Sequence, residues 1–331
     1  MESPALKKLG EEARSFKSSA YANSTKVAYK SQLATYVRFC LFHDLLPVPA
    51  TQQTIVCYVA HLSRTLAPVS VGIYLNVVRI LHEECGFVNP LKDNYELMLI
   101  KRGLKRVKGC PVKQKAPITV DLLIKMFVFV DFSKPSEKAF WCAMLVGFYG
   151  FLRKSSLVPE SVHTPSDKRL NRSDVSLLCL DSFVLTFRHS KTIQYGQRVH
   201  VIPYSACVDK RICPVFALLS HVGASVLAAG APLFDYVQAG VATSFTHASL
   251  VARLKLGVEQ CGLDPKQVSC HSLRRGGALL AFASHLSADS IKQRGDWASN
   301  CYRKYLVVSQ NDSFESARVL SASAVAHASL L

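Results

Sequence analysis

The sequence has few acidic side chains and lacks the patterns that mark several common protein classes. Aspartate and glutamate number 23, against 40 lysine and arginine residues. It contains no Cys-x-x-Cys pair, no apolar run of signal-peptide type near its start and no internal repeat. The longest apolar stretch, 139–152, is too short to span a bilayer and is expected to form a buried helix. These absences disfavour a zinc site, a secreted protein and a membrane protein.

The 11 cysteines are expected to be free thiols. Their number is odd, they are spread along the chain, and most of them lie inside apolar stretches. Free buried thiols are typical of a reducing compartment. We therefore expect a soluble, intracellular protein without a membrane partner, nuclear if its source is a eukaryote.

The composition is that of an ordered globular protein with a large positive charge. With 331 residues, 49% of them hydrophobic and 19% charged, the chain suits two domains. The net charge of +17 favours a polyanionic partner, because neutralising phosphates releases condensed counterions. The charge could instead serve solubility alone. The positions of the cationic residues along the chain are therefore needed to distinguish the two interpretations.

The first part of the chain is predicted to be a helical domain without strands, at 21–108, after an extension at 1–20. Apolar residues recur there at three- and four-residue intervals. This spacing predicts four helices, at 24–46, 52–66, 70–85 and 95–105.

A basic run follows at 101–115, where seven of fifteen residues are lysine or arginine and none is acidic. Gly109 and Pro111 break any helix there. We interpret the run as a basic linker, bounded at 109–116, that contacts a phosphate backbone. A solvated surface connection is the alternative.

The second part, 117–331, is predicted to be mostly helical with one small antiparallel sheet. Strand-like runs at 175–180, 183–188 and 198–203 would form the sheet, and the polar tip HSKTIQYGQ joins the last two. Apolar periodicity predicts the helices, at 120–130, 136–152, 213–227, 246–261, 272–285, 289–294, 300–307 and 313–326.

Side chains that handle phosphate are concentrated after residue 270. His271 and Arg274 lie three positions apart at the start of a predicted helix and share one face, while Arg275 could share that face or turn inward. A histidine and an arginine at a helix N-terminus form an anion site, because the helix dipole adds to their charge. A surface histidine beside a salt-bridging arginine is the common alternative.

Five more residues could join this site. Arg153 follows the apolar stretch and needs an anionic partner, either an internal carboxylate or a phosphate. Lys191, in the hairpin tip, could protonate a leaving oxygen or be merely exposed. Trp297 could anchor the core or donate to a phosphate. Tyr302 and Tyr305 could pack, or could attack phosphorus if cations stabilise the phenolate.

In combination these residues resemble the tyrosine recombinases. The family's order is Arg, a hairpin Lys, His-x-x-Arg, His or Trp, then Tyr. The segments FLRKSSLVP, SKTIQYGQR, HSLRRGGA and GDWASNCYRKYL are similar to those of the recombinases of eukaryotic mobile elements of the Crypton, DIRS and Ngaro types. The resemblance covers the whole chain. It implies a helical, SAM-like core-binding domain followed by a tyrosine recombinase catalytic domain.

The resemblance implies roles for the cationic residues. Arg153 and Arg274 would hold the scissile phosphate. Lys191 would protonate the departing 5′ oxygen, and His271 would assist proton transfer and hold the phosphate. Many bacterial members have an acidic residue three positions after the first arginine, whereas this chain has Ser156.

The same resemblance assigns the aromatic residues. Trp297 would brace the phosphate in the place that histidine fills in many relatives. Tyr305 would be the nucleophile, because this branch places the attacking tyrosine eight residues after the tryptophan. Tyr302 is the alternative nucleophile.

The implied reaction is transesterification through a 3′-phosphotyrosyl bond, which needs no ATP, metal or other cofactor. Its substrate would be double-stranded DNA, bound by six basic residues: Lys26, Lys30, Lys101, Arg102, Lys105 and Arg106. Two other functions stay open, a monomeric type IB topoisomerase and a DNA-binding protein that has lost catalysis.

Strand exchange between two duplexes implies a homotetramer on DNA, and the small apolar helix predicted at 313–326 is the candidate for docking onto a neighbouring subunit. Its removal is expected to abolish synapsis of two sites and to leave single-duplex binding intact. Gel mobility shifts with one-site and two-site DNA measure both. Synaptic assembly that survives the truncation would contradict this role.

Overall fold

The computed structural model describes residues 3–109, 114–305 and 318. The chain divides into two compact units, one up to Lys113 and one from Gln114 onward. None of the described helices is long and apolar enough to cross a membrane. The ten cysteines in these ranges are free thiols, of which four are buried and four are exposed, so the expectation of buried thiols holds for only part of them.

The first unit consists of five helices in its described residues: α1 (Pro4–Ser19), α2 (Asn23–Phe42), α3 (Gln52–Ser63), α4 (Pro68–Glu84) and α5 (Tyr95–Lys108). Hydroxyl and amide side chains cap three of them, from Ser3, Thr51 and Asn94. Aromatic and branched side chains of α2, α3 and α4 form the core, whereas α1 buries no side chain. The four helices predicted here are all observed.

The basic run is not a linker over its whole length. Residues 101–108 continue α5, and the helix ends at Gly109, whose φ of 66° suits glycine. The helix tolerates these cations because lysine and arginine near a C-terminus interact favourably with the helix dipole. Residues 110–113 lie outside the described ranges.

The second unit is mostly helical with two small antiparallel sheets. Its helices are α6 (Val120–Phe127), α7 (Pro135–Tyr149), α8 (Lys154–Leu157), α9 (Pro214–Ala224), α10 (His247–Gln260), α11 (Cys270–Ala283) and α12 (Ala288–Arg294). Its strands are β1 (Val175–Cys179), β2 (Ser182–Phe187), β3 (His200–Ser205), β4 (Tyr236–Gln238) and β5 (Val241–Thr243). The three predicted strands pair in the order β1-β2-β3.

Helix α7 is the centre of the second unit. Its ten residues from Ala139 to Phe148 are all buried, as the uninterrupted apolar stretch predicts. Helices α9 and α11 pack against it. The predicted helix at 300–307 is instead a 3-10 helix at Asn300–Tyr305, and the helix predicted at 313–326 falls outside the described residues.

Two glycines let α11 approach its neighbours closely. A Cβ atom at Gly276 would lie 1.7 Å from the carbonyl oxygen of Ile118, and one at Gly277 would lie 2.0 Å from that of Phe148. Because these neighbours are backbone atoms, a side chain cannot be accommodated by a rotamer change. This contact fixes α11, and with it the HSLRR segment, against the end of α7.

Gly277→Ala is expected to lower the free energy of unfolding by about 1–3 kcal/mol, because the added methyl group overpacks the α7–α11 contact. Denaturant unfolding measures the change. The matched control is Gly223→Ala in α9, where a Cβ would meet nothing within 4 Å. That variant is expected to be neutral or more stable by up to about 1 kcal/mol. Equal effects of the two substitutions would contradict the close-packing argument.

Candidate active site

His271 lies in the first turn of α11. The helix starts at Cys270, two residues earlier than predicted, because Ser269 and Ser272 form a reciprocal capping pair. The Nε2 atom of His271 is 2.7 Å from the hydroxyl of Tyr305, and the two rings meet edge to face. The imidazole and the phenol therefore share one hydrogen bond at an exposed helix N-terminus.

Arg274, one turn further along α11, is only 2% exposed. Its guanidinium donates to the carbonyl oxygens of Phe151 and of Gly295, the latter at 2.6 Å. The guanidinium carbon lies 3.9 Å from the ring centroid of Trp297. Burial, followed by the charge of Arg153, lowers the pKa of Arg274. No carboxylate pairs with Arg274 among the described residues, so its charge remains available to an anion.

The chain is bent sharply at both carbonyl groups that hold Arg274. Phe151 itself has a φ of 50°, and Asp296, next to Gly295, has a φ of 52°. A left-handed conformation costs a non-glycine residue about 1–2 kcal/mol. Each bend aims a carbonyl oxygen at the guanidinium, and the bend at Phe151 also leads the chain into Arg153.

Two more arginines belong to this cationic centre. Arg153, the N-cap of α8, is half-buried, and Arg275 is 5% exposed with an unpaired Nε. Neither guanidinium has a hydrogen bond or ion pair to any other described residue. Desolvation of the ring and the charges of Arg274, Arg153 and Arg275 lower the pKa of His271. The centre therefore combines a neutral imidazole with unpaired cations, as an anion site requires.

The two candidate tyrosines have different environments. Tyr302 is 2% exposed and packs in a small core with Trp297, which is itself 6% exposed. Tyr305 lies at the edge of that core, 5.8 Å from the Trp297 ring, and its hydroxyl contacts His271. Only Tyr305 combines partial exposure with a hydrogen bond to the predicted site.

Lys191 is exposed in the loop between β2 and β3. Its side chain has no hydrogen bond or ion pair within the described residues, and its carbonyl oxygen accepts from Gln194 at 2.6 Å. The flanking residues Ser190 and Thr192 contact Asp296. The loop therefore reaches the active site through the residue that precedes Trp297.

Sequence reasoning missed three polar residues beside the arginines: His200, Arg294 and Asp296. All three line a small cavity together with Arg153 and Arg274. Asp296 lies within the GDW segment and could have been noticed there. His200 and Arg294 carry no motif, because they come from a strand and a helix whose patterns are ordinary.

A basic groove of about 550 Å³ extends from Arg153 and His271. Four lysines line it and no acidic residue does: Lys115, Lys154, Lys255 and Lys266. Lys115 ends the basic run 101–115, but the other three lysines come from widely separated parts of the sequence and belong to no charge run.

The six predicted DNA contacts all lie in the first unit and are exposed. Lys101, Arg102 and Lys105 line a groove of about 350 Å³ on α5, beside apolar side chains such as Met98. The other three, Lys26 and Lys30 on α2 and Arg106 on α5, have no ion pair within the described residues.

Comparison with known proteins gives one sequence relative and several structural ones. An integrase/recombinase xerD homolog of Selenomonas ruminantium is 26% identical over 280 residues, which cover 82% of this chain and 78% of the relative. No family model matches the sequence.

The structural neighbours share the fold over nearly the whole chain. The integrase of transposon Tn1549, solved with circular intermediate DNA, has a TM-score of 0.60 at 12% identity and covers 90% of this chain and 94% of its own. Lambda integrase on a core site has a TM-score of 0.58 at 14% identity, covering 90% and 93%. The XerH recombinase bound to its difH substrate has a TM-score of 0.56 at 13% identity, covering 87% and 76%.

The predicted fold class, mostly helical with a small antiparallel sheet, is confirmed by these neighbours. The order of the motifs, the fold and the sequence relative agree on one family. The comparisons do not reach the finer Crypton, DIRS or Ngaro subtype. The sequence relative and the structural neighbours are tyrosine recombinases, and this chain shares their fold.

Proposed function

We propose that this protein cuts and rejoins DNA strands by transesterification, with Tyr305 as the nucleophile. The observation that carries the proposal is the Tyr305 hydroxyl, 2.7 Å from His271 beside arginines that have no counter-ion within the described residues. The names of the relatives support DNA as the substrate, because they are recombinases and integrases and three of them were solved with DNA.

The geometry supports the following chemistry. His271, neutral because its pKa is lowered, accepts the proton of Tyr305. The phenolate attacks the scissile phosphorus and forms a 3′-phosphotyrosyl bond, while the bond to the 5′ oxygen breaks. Arg153 and Arg274 stabilise the charge that develops on the phosphoryl oxygens.

Lys191 protonates the departing 5′ oxygen, so one ester replaces another and no free energy source is required. A 5′-hydroxyl from a partner strand then attacks the phosphotyrosyl bond, and Tyr305 leaves as the proton returns. Trp297 holds Arg274 in place through its ring face. The rejoining step is thus the cleavage step in reverse.

Exposed cations of both units bind the duplex. In the second unit the basic groove leads away from Arg153 and His271 and suits the phosphates that flank the cleaved one. In the first unit the cationic residues of α2 and α5 supply further backbone contacts.

We further propose that the protein is the recombinase of a eukaryotic mobile element of the Crypton, DIRS or Ngaro type and works in the nucleus. The Trp297–Tyr305 spacing supports this branch. The working form is a homotetramer on DNA, in which the segment 313–326 docks onto a neighbouring subunit. That segment lies outside the described residues.

Tyr305→Phe is expected to abolish covalent attachment to DNA, because the phenol oxygen forms the bond. Tyr302→Phe is expected to retain it, since the buried ring keeps its packing in the core. The substrate is a nicked duplex pool of randomised sequence, from which adducts are isolated on denaturing gels. No adduct with the wild type would favour a non-catalytic DNA-binding protein. Loss of the adduct in Tyr302→Phe alone would reassign the nucleophile.

The pKa of His271 in the free protein is expected to lie below its usual value of 6.5, so that the ring is neutral at pH 7. Arg153→Gln removes one of the neighbouring cations and is expected to raise that pKa. An NMR titration of the imidazole measures both. Arg211→Gln, which removes a cation paired with Asp209, is the control and leaves the value unchanged. A pKa above 6.5 in the wild type would contradict the role of His271 as proton acceptor.

A further inference from the structure

One carboxylate, that of Asp296, joins the loop that carries Lys191 to the rest of the active site. It accepts hydrogen bonds from the Thr192 hydroxyl and the Arg198 guanidinium, and the Ser190 hydroxyl lies 3.5 Å away. Burial alone raises the pKa of Asp296, but the hydrogen bonds from Thr192 and Arg198 lower it overall. The group is therefore an anion under the conditions in which DNA is cut, and it is 15% exposed.

On the loop, these contacts flank Lys191 on both sides. Ser190 and Thr192 are its immediate neighbours, and their hydroxyls are 3.0 Å apart. Ser190 also exchanges backbone hydrogen bonds with Ile193, which is fully buried. The backbone at Lys191 is thus anchored, while its side chain remains exposed and unpaired.

On the other side, Asp296 is part of the turn that holds Arg274. The carbonyl oxygen of Gly295 accepts from Arg274, and the ring of Trp297 lies under the same guanidinium. The positive φ of Asp296 makes this turn possible. A shift of the Asp296 carboxylate would therefore alter the position of the loop relative to the phosphate-binding arginine.

Other contacts between this turn and the sheet do not hold the loop tip. The Nε2 atom of His200 is 3.2 Å from the carbonyl oxygen of Arg294, and Arg294 donates to the carbonyl oxygen of Pro203 at 2.9 Å. Both attach strand β3. Asp296 alone, among the described residues of the turn, bonds to the side chains next to Lys191.

We propose that Asp296 is a positioning residue that sets the distance between the general acid Lys191 and the phosphate held by Arg274. The proposal rests on the proposed function. Arg198 neutralises the carboxylate, so an anion can lie near the DNA phosphate without repelling it. A general acid must lie within hydrogen-bond reach of the leaving oxygen, and a displacement of about 1 Å can cost on the order of a hundredfold in rate.

The test uses a duplex selected by the wild type from the randomised pool, prepared with either oxygen or bridging sulfur at the 5′ position of the scissile phosphate. With sulfur, Tyr305 attacks phosphorus and the P–S bond breaks, releasing a thiolate. A thiol has a pKa of about 8.5, so this leaving group needs no proton from Lys191. Lys191→Ala is the reference variant for that behaviour.

Asp296→Asn and Thr192→Val are expected to slow cleavage of the oxygen duplex about tenfold to a hundredfold. On the sulfur duplex both are expected to cleave within about threefold of the wild type, as Lys191→Ala does. Thr192→Val keeps the shape of its side chain and leaves the turn at Trp297 untouched, so it isolates the loop side of the contact. The control is Glu137→Gln, which breaks the distant pair with Arg253 and is expected to cleave both duplexes at the wild-type rate.

The outcomes are distinct. A wild type that forms no adduct contradicts the proposed function. A wild-type adduct with full-rate cleavage of the oxygen duplex by Asp296→Asn overturns the positioning role alone. Equal slowing on both duplexes also overturns it, because Asp296 would then act through Arg274 or through stability. If the sulfur duplex does not restore cleavage by Lys191→Ala, Lys191 is not the general acid and the positioning proposal fails with it.

Discussion

The burial of the Arg274 guanidinium is the constraint around which the catalytic unit is arranged. A cation removed from water is costly unless its surroundings compensate it. Here the compensation comes from two carbonyl oxygens and the face of Trp297 rather than from a carboxylate. Because none of these partners carries a full negative charge, the positive potential is retained. A phosphate can therefore supply the negative charge that Arg274 lacks within the described residues.

The neighbouring structure follows from that requirement. Gly276 and Gly277 bring α11 against the backbone of Ile118 and Phe148, so Arg274 can reach the carbonyl of Phe151. The left-handed turn at Phe151 then delivers Arg153 to the same centre. Rigid elements thus hold the arginines, whereas Lys191 is carried by a loop whose contact with the turn at Arg274 is the carboxylate of Asp296.

The chain shares its fold with the solved neighbours at identities of 12–14%. Many apolar sequences can form a buried helix such as α7, so the fold is retained after extensive substitution. The side chains around Arg274 and Arg153 are more specific to this chain. Trp297 gives Arg274 an aromatic face, and Ser156, three positions after Arg153, supplies no carboxylate to it.

The sequence by itself determined the helical periodicity, the buried α7, the three-stranded sheet and the motif set from Arg153 to Tyr305. These are local patterns, or matches to a known order, and both are readable along the chain. It did not predict α8, β4 or β5, which are too short to show a period, and it ended the fourth helix at 105 although α5 continues to Lys108. Only the tertiary structure showed that Tyr302 is buried in a small core while Tyr305 contacts His271. It also gathered the lysines of the basic groove and joined Thr192 to Asp296 across 104 residues. Such contacts depend on how distant segments pack, and no local pattern encodes that.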